Sequence, residues 1–165
     1  MKQDRFLIVI LAVIALLAIT ALALFFTRQR AQVYLPDDTP AGVVHNYILA
    51  LHEGDYERAY SYLKEAAYKP SSDRFRRAYI MRELDISNAA VQIGETDRTD
   101  HEAVVRLVII HSGFRPFENT WQETLNAMLV QDESGVWKIS SLPYPYWGWD
   151  WYTPPVTPIP APLKP

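Results

Sequence analysis

The sequence predicts an α+β protein in which an N-terminal transmembrane helix precedes three helices packed on a four-stranded antiparallel sheet. Three observations lead there. Residues 6–26 form an unbroken apolar run, the hydrophobic period changes from helical to alternating near residue 84, and the helical segments all precede the strand-like ones. Segregated helices and strands favour helices laid on one face of an antiparallel sheet over a βαβ alternation.

The run from Phe6 to Phe26 contains fifteen Leu, Ile, Val or Phe, five Ala and a single polar side chain, Thr20. As a helix it would rise roughly 31 Å, against a hydrocarbon core of about 30 Å. Its fifteen large apolar side chains would favour insertion by roughly 5–9 kcal/mol. The competing reading is a cleaved secretory signal, because Ala21-Leu22-Ala23 has the small-x-small form of a cleavage site. The run outlasts the usual h-region and continues past that site, which favours retention. Lys2 and Arg5 precede the run, and Arg28 and Arg30 follow it. The charge bias is therefore nearly balanced, and the short N-terminal stub sets an N-inside orientation. These features make residues 1–5 a cytoplasmic stub, 6–26 the span in the lipid bilayer and 27–38 a tether. The remainder is then expected outside a single-pass cell-membrane protein.

Beyond the run, residues 31–165 carry twelve bases against eighteen acids, a net of −6. A negative domain repels phosphate backbones, so nucleic acid is not an expected partner. The absence of cysteine excludes a disulfide scaffold, a thiol nucleophile and a lipoprotein anchor.

The folded part is expected over 39–142. Thr39 can cap a helix with Pro40 at its first position, and Val43, Val44, Tyr47, Ile48 and Leu51 follow at helical spacing before Gly54. Asp55 can cap a second helix with Tyr56, Ala59, Tyr60 and Leu63 on one stripe. The Ser71-Ser72-Asp73 cluster can open a third, running to about Arg82 with Phe75 and Tyr79 inward. Strands are expected from Ala89 to a turn at Asp97–Asp100, then over 103–111, 120–131 and 136–142.

The stretch PAGVVHNYILALHEGDYERAYSYL, from Pro40 to Leu63, resembles the opening helices of the nuclear-transport-factor-2-like superfamily, a cystatin-like α+β cone in which a curved sheet clasps three helices. It is similar in particular to small membrane-tethered bacterial members. The resemblance implies a pocket on the concave face of the sheet and allows a homodimer through the sheet. It does not select a chemistry, because that fold hosts isomerases, dehydratases, ligand carriers and assembly subunits. This chain departs from the tethered members in lacking a lipid-anchor cysteine and in adding a C-terminal tail.

On the expected inner face, Glu123 is the misfit in the series Trp121, Glu123, Leu125, Ala127, Leu129. Matching the apolar faces of two strands places His111 opposite Trp121 and Ile109 opposite Glu123. His111 then lies diagonal to Glu123, within reach of long side chains. A carboxylate beside an imidazole can exchange a proton, so Glu123, His111 and Trp121 form the candidate pocket; a solvated pair at the sheet rim is the plainer reading. No cofactor or metal is expected. His45 and His52 stand about 10.5 Å apart along one helix, too far to share an ion. Arg74, Arg76, Arg77 and Arg82 form a basic cluster that reads either as an anion patch or as the wet side of a short helix.

The tail, 143–165, holds eight of the twelve prolines and the run YPYWGWDWY. Prolines at this density exclude helix and central strand. Its aromatics Tyr144, Tyr146, Trp147, Trp149 and Trp151 can strap the sheet, capture an envelope-protein partner, or settle at the lipid headgroups or stack on cell-wall sugars. The functional expectation is a membrane-anchored extracytoplasmic binding or assembly module without enzymatic activity. The alternative is a small-ligand or acid-base pocket enzyme using the cone.

Overall fold

The computed structural model describes residues 3–28, 33–112 and 120–154, which form two units, one ending at Val33 and the other beginning at Tyr34. The PVTP and PIPAP stretches of the tail, part of the tether and the start of the stub lie outside the described residues.

Among the described residues of the first unit there is one helix, α1 (Gln3–Arg28). The expected span over 6–26 is corrected here, because among the described residues no helix is long and apolar enough to cross a membrane.

The second unit follows the expected order. Helix α2 (Pro40–Glu53) opens on Thr39, whose side chain accepts from the Gly42 amide, and closes on Gly54 at φ 75°. That left-handed geometry costs glycine nothing, which is why the helix stops there. Asp55 caps α3 (Tyr56–Ser61) through the Arg58 amide. Ser71 caps α4 (Ser72–Ile80) through the Arg74 amide. The strands β1 (Ala89–Arg98), β2 (Glu102–His111), β3 (Trp121–Gln131) and β4 (Trp137–Ser141) form an antiparallel sheet in the order β1-β2-β3-β4. Strand β1 continues to Arg98 through a register shift between Ile93 and Thr96, so the turn begins later than the polar cluster at 97–100 suggests.

The core lies where α2 crosses the sheet. Val43, Val44, Tyr47 and Leu51 meet Val105, Leu107, Ile109, Ala127, Leu129 and Ile139, all buried in one cluster. The free edge of β4 is covered by chain leaving α3: the Ile139 amide donates to Tyr62 O at 2.8 Å and the Lys64 amide to Ile139 O at 2.9 Å. A paired edge offers no template to another strand.

The end of the expected tether and the start of the tail both pack on this body. Residues 34–37 are fastened to α2 by Asn46, which is fully buried. Its carbonyl accepts from the Leu35 amide at 2.8 Å, and its amide donates to Leu35 O at 2.7 Å and to Asp37 Oδ1 at 2.6 Å. Tyr34 adds a hydrogen bond to Glu53 at 2.6 Å and lies beneath the Arg58 guanidinium. The tail is likewise structural through residue 153, with Tyr146, Trp147 and Trp151 in the core cluster. The Tyr146 carbonyl accepts from the hydroxyls of Tyr47 at 2.8 Å and Tyr79 at 2.9 Å, and its own hydroxyl donates to Ala89 O at 3.0 Å. Trp151 packs against Phe75 at 5.2 Å between ring centroids.

Burial holds the Tyr47 and Tyr79 hydroxyls well above their ordinary range and pushes Tyr146 up to about 12. Tyrosines of the unfolded chain ionise near pH 10, before these folded ones, so above that pH the unfolded state holds fewer protons and stability falls as pH rises. Urea midpoints should be level from pH 7 to 9 and drop between pH 10 and 12. A flat profile through pH 12 would contradict the buried hydroxyl cluster.

Candidate functional site

Strands β2 and β3 pair with His111 opposite Trp121 and Ile109 opposite Glu123, the register that apolar matching predicts. His111 and Glu123 extend the inner face of the sheet past fully buried Ile109, toward the end where burial falls off. His111 Nε2 lies 3.0 Å from Glu123 Oε1. The imidazole also stacks on the Trp121 indole, with centroids 3.9 Å apart and planes 10° from parallel. All three members of the candidate pocket are thus brought together. Their groups are spent largely on one another: one ring nitrogen faces the carboxylate and one ring face is covered. The pair can pass a proton between its own members, while no other acid or base is hydrogen-bonded to it among the described residues.

The tail aromatics divide. Tyr146, Trp147 and Trp151 are buried and hence unavailable to a partner, which corrects their place in the candidate tail surface; Tyr144 and Trp149 are exposed, Trp149 at 92%. Trp149 is held between anchored neighbours. Gly148 lies so close to Trp151 that a Cβ there would fall 2.4 Å from the indole Nε1, so a Gly148→Ala variant should lose about 1–3 kcal/mol by overpacking. Urea unfolding checks this, and an unchanged midpoint would contradict the packing. On the far side of Trp149, Asp150 pairs with Arg74 on α4, the Tyr152 amide donates to Tyr68 O at 3.1 Å, and the Tyr152 hydroxyl donates to Lys64 O at 2.5 Å.

This clamped segment and the start of α4 enclose a groove of about 550 Å³, lined among others by Tyr68, Ser71, Arg74, Trp149, Asp150 and Thr153. Tyr68 sits at φ 63°, a strained position for a bulky side chain, and leaves its ring exposed. Lys69 brings no free charge to the rim, because it pairs with Glu65 at 2.5 Å and lies over the Tyr60 ring. The groove therefore balances one guanidinium against one carboxylate.

The basic cluster expected on α4 is largely matched by acids and carbonyls. Arg74 pairs with Asp150, Arg76 with Asp73 at 3.4 Å, and the Arg77 side chain donates to Asp73 O. His52 borders a second, smaller groove with Tyr56, Tyr79 and Arg82, and burial lowers its pKa. Among the described residues, no group of three His, Cys, Asp or Glu could hold a metal ion.

Sequence reasoning did not find the Tyr68–Arg74–Asp150 side of the groove. Its partners are 76 residues apart along the chain at the Arg74–Asp150 pair, and neither residue breaks a local pattern.

No protein-family model matches this chain. No curated protein matches it either. Solved structures similar to it include a SEC-C motif containing protein from Rhodopseudomonas palustris, at 9% identity and a TM-score of 0.47 over 65% of this chain and 79% of that one. A Campylobacter jejuni protein named as an NTF2-like transpeptidase is 19% identical, with a TM-score of 0.41 over 63% of this chain and 99% of that one. A cystatin-fold protein from Novosphingobium aromaticivorans is 10% identical, with a TM-score of 0.41 over 61% of this chain and 94% of that one. The second and third of these bear the NTF2-like and cystatin names of the resemblance over residues 40–63, and at these scores the likeness carries no argument about this chain.

Proposed function

We propose that the chain is a non-enzymatic recognition module whose binding surface is the groove between the clamped tail and α4. The observation that carries this reading is Trp149: a large aromatic ring left exposed in a segment whose neighbours are locked in the core. An exposed indole presents a large flat face that a ligand can cover, and the rigid backing removes the ordering cost that a mobile tail would impose on binding. The inner face of the sheet supports the same reading from the other side. Its polar pair is internally satisfied, and among the described residues no buried side-chain polar atom lacks a partner. A catalytic cavity ordinarily keeps such groups unspent for the reacting molecule.

Amide-detected NMR titration with libraries of soluble glycans and peptides tests the reading. Shifts should cluster at residues 68–74 and 149–153, and Glu123→Gln and His111→Ala should bind with unchanged affinity. Shifts centred on His111, Trp121 and Glu123, or binding abolished by Glu123→Gln, would move the site to the inner face and revive a pocket enzyme.

A further inference from the structure

We infer that the Trp149 groove binds a neutral, β-linked oligosaccharide; this rests on the groove being the recognition surface. The inference starts from charge. Arg74 and Asp150 neutralise each other, and Lys69 is already paired with Glu65, so the groove selects for no net charge. It nevertheless offers both kinds of hydrogen-bonding group on a wet surface. The Arg74 and Asp150 side chains are 57% and 28% exposed, leaving guanidinium donors and carboxylate lone pairs free beyond their mutual contact. Ser71 Oγ accepts from the Arg74 amide and keeps its hydrogen to donate. Thr153 Oγ1 donates to Asp150 O and keeps lone pairs to accept.

A ligand matching this set must be uncharged, must donate and accept at closely spaced positions, and must present an apolar face to an indole. Vicinal hydroxyls of a pyranose do the first two, and the axial C–H face of a β-linked, all-equatorial ring does the third. The volume lies within the roughly 300–1,000 Å³ of small-ligand sites. A proline-rich peptide is the obvious competitor for an exposed aromatic. Its prolines supply carbonyl acceptors and no N–H, so the Asp150 carboxylate would face acceptors alone. Tyr68 completes the argument: its ring, exposed at a strained backbone position on the same groove, gives a second flat surface for a neighbouring sugar.

The experiment follows the five tryptophan indole N–H signals of the full chain by NMR, with the Trp149 signal assigned from its loss in Trp149→Phe. Cellotriose and triacetylchitotriose are the β-linked probes, maltotriose is the α-linked control and decaproline is the peptide probe. The Trp149 signal should move with at least one β-linked probe. Trp149→Ala should weaken that binding at least tenfold at an unchanged melting temperature, Trp149→Phe less than fivefold, and Asp150→Asn at least threefold. Maltotriose should bind at least fivefold more weakly. If decaproline moves the Trp149 signal and the β-linked sugars do not, the recognition surface stands and the saccharide assignment falls. If no probe moves it at 10 mM, or if Trp149→Ala leaves sugar binding intact, the saccharide assignment is overturned. Glycan or peptide shifts centred on His111 and Glu123 would overturn the recognition surface as well.

Discussion

Replacing Tyr146 by alanine should destabilise the protein by about 3–5 kcal/mol, the range for removing a fully buried aromatic from a core. The Tyr146 side chain is completely buried. Its ring stands edge-on to His52 at 6.2 Å, and its hydroxyl donates to Ala89 O. The backbone carbonyl that gathers the Tyr47 and Tyr79 hydroxyls survives in alanine, so the measured loss isolates the ring and its own hydroxyl from the cluster around it. Two controls divide it further. Tyr146→Phe removes the bond to Ala89 O and the longer 3.5 Å contact with His52 Nε2, and should cost about 1–2 kcal/mol. Trp149→Ala, at an exposed ring three residues along, should stay within about 0.5 kcal/mol. In thermal melts the alanine variant at 146 should drop by roughly 10–20 °C for a domain of this size. A drop under 3 °C would mean that the tail is an accessory and not part of the core.

That contrast shows where sequence reasoning reaches and where it stops. The caps at Thr39, Asp55 and Ser71 and the stop at Gly54 were legible because each is a local backbone requirement met by one residue type. The pairing of His111 with Trp121 was legible because a sheet with one buried face tolerates no one-residue slip. The same register brought the His111–Glu123 pair within view before any coordinates.

The tail was legible in part: a strap was one of three readings of its aromatics, and the sequence did not choose among them. Proline density denies it helix and ladder, yet says nothing about burial, which here depends on contacts from Tyr146 to Tyr47 and Tyr79 that are 99 and 67 residues distant along the chain. Asn46 was missed for a related reason. On a helical wheel it is one polar residue beside an apolar stripe, and its partners lie on the irregular segment at Leu35 and Asp37, outside the helix. The apolar run at 6–26 does form a helix, α1, but its composition alone overstated the crossing.

The Asn46 latch provides the second large effect. Asn46→Leu keeps the volume and removes all three hydrogen bonds, leaving the Leu35 amide facing a hydrocarbon. The chain then has two ways to respond. If the segment stays docked, an unpaired buried N–H and an unpaired carbonyl each cost about 1–3 kcal/mol. If it peels away, those groups reach water, but the Tyr34–Glu53 bond and the Arg58–Tyr34 stack are lost. The cheaper response wins, so the cost cannot exceed the roughly 2–6 kcal/mol of the docked state. Gly42→Ala strikes the same latch from the helix side, because a Cβ there would sit 2.4 Å from Pro36 O and 2.8 Å from Thr39 Oγ1. Its gain of up to about 1 kcal/mol in helix propensity offsets only part of that clash. Two substitutions that both release one segment cannot release it twice. The double variant should therefore fall short of the sum of the singles by at least 1 kcal/mol, with the Leu35 amide exchanging rapidly with solvent in all three proteins. Additive losses, or a Leu35 amide still protected in Asn46→Leu, would show that residues 34–37 are held by something other than this side chain.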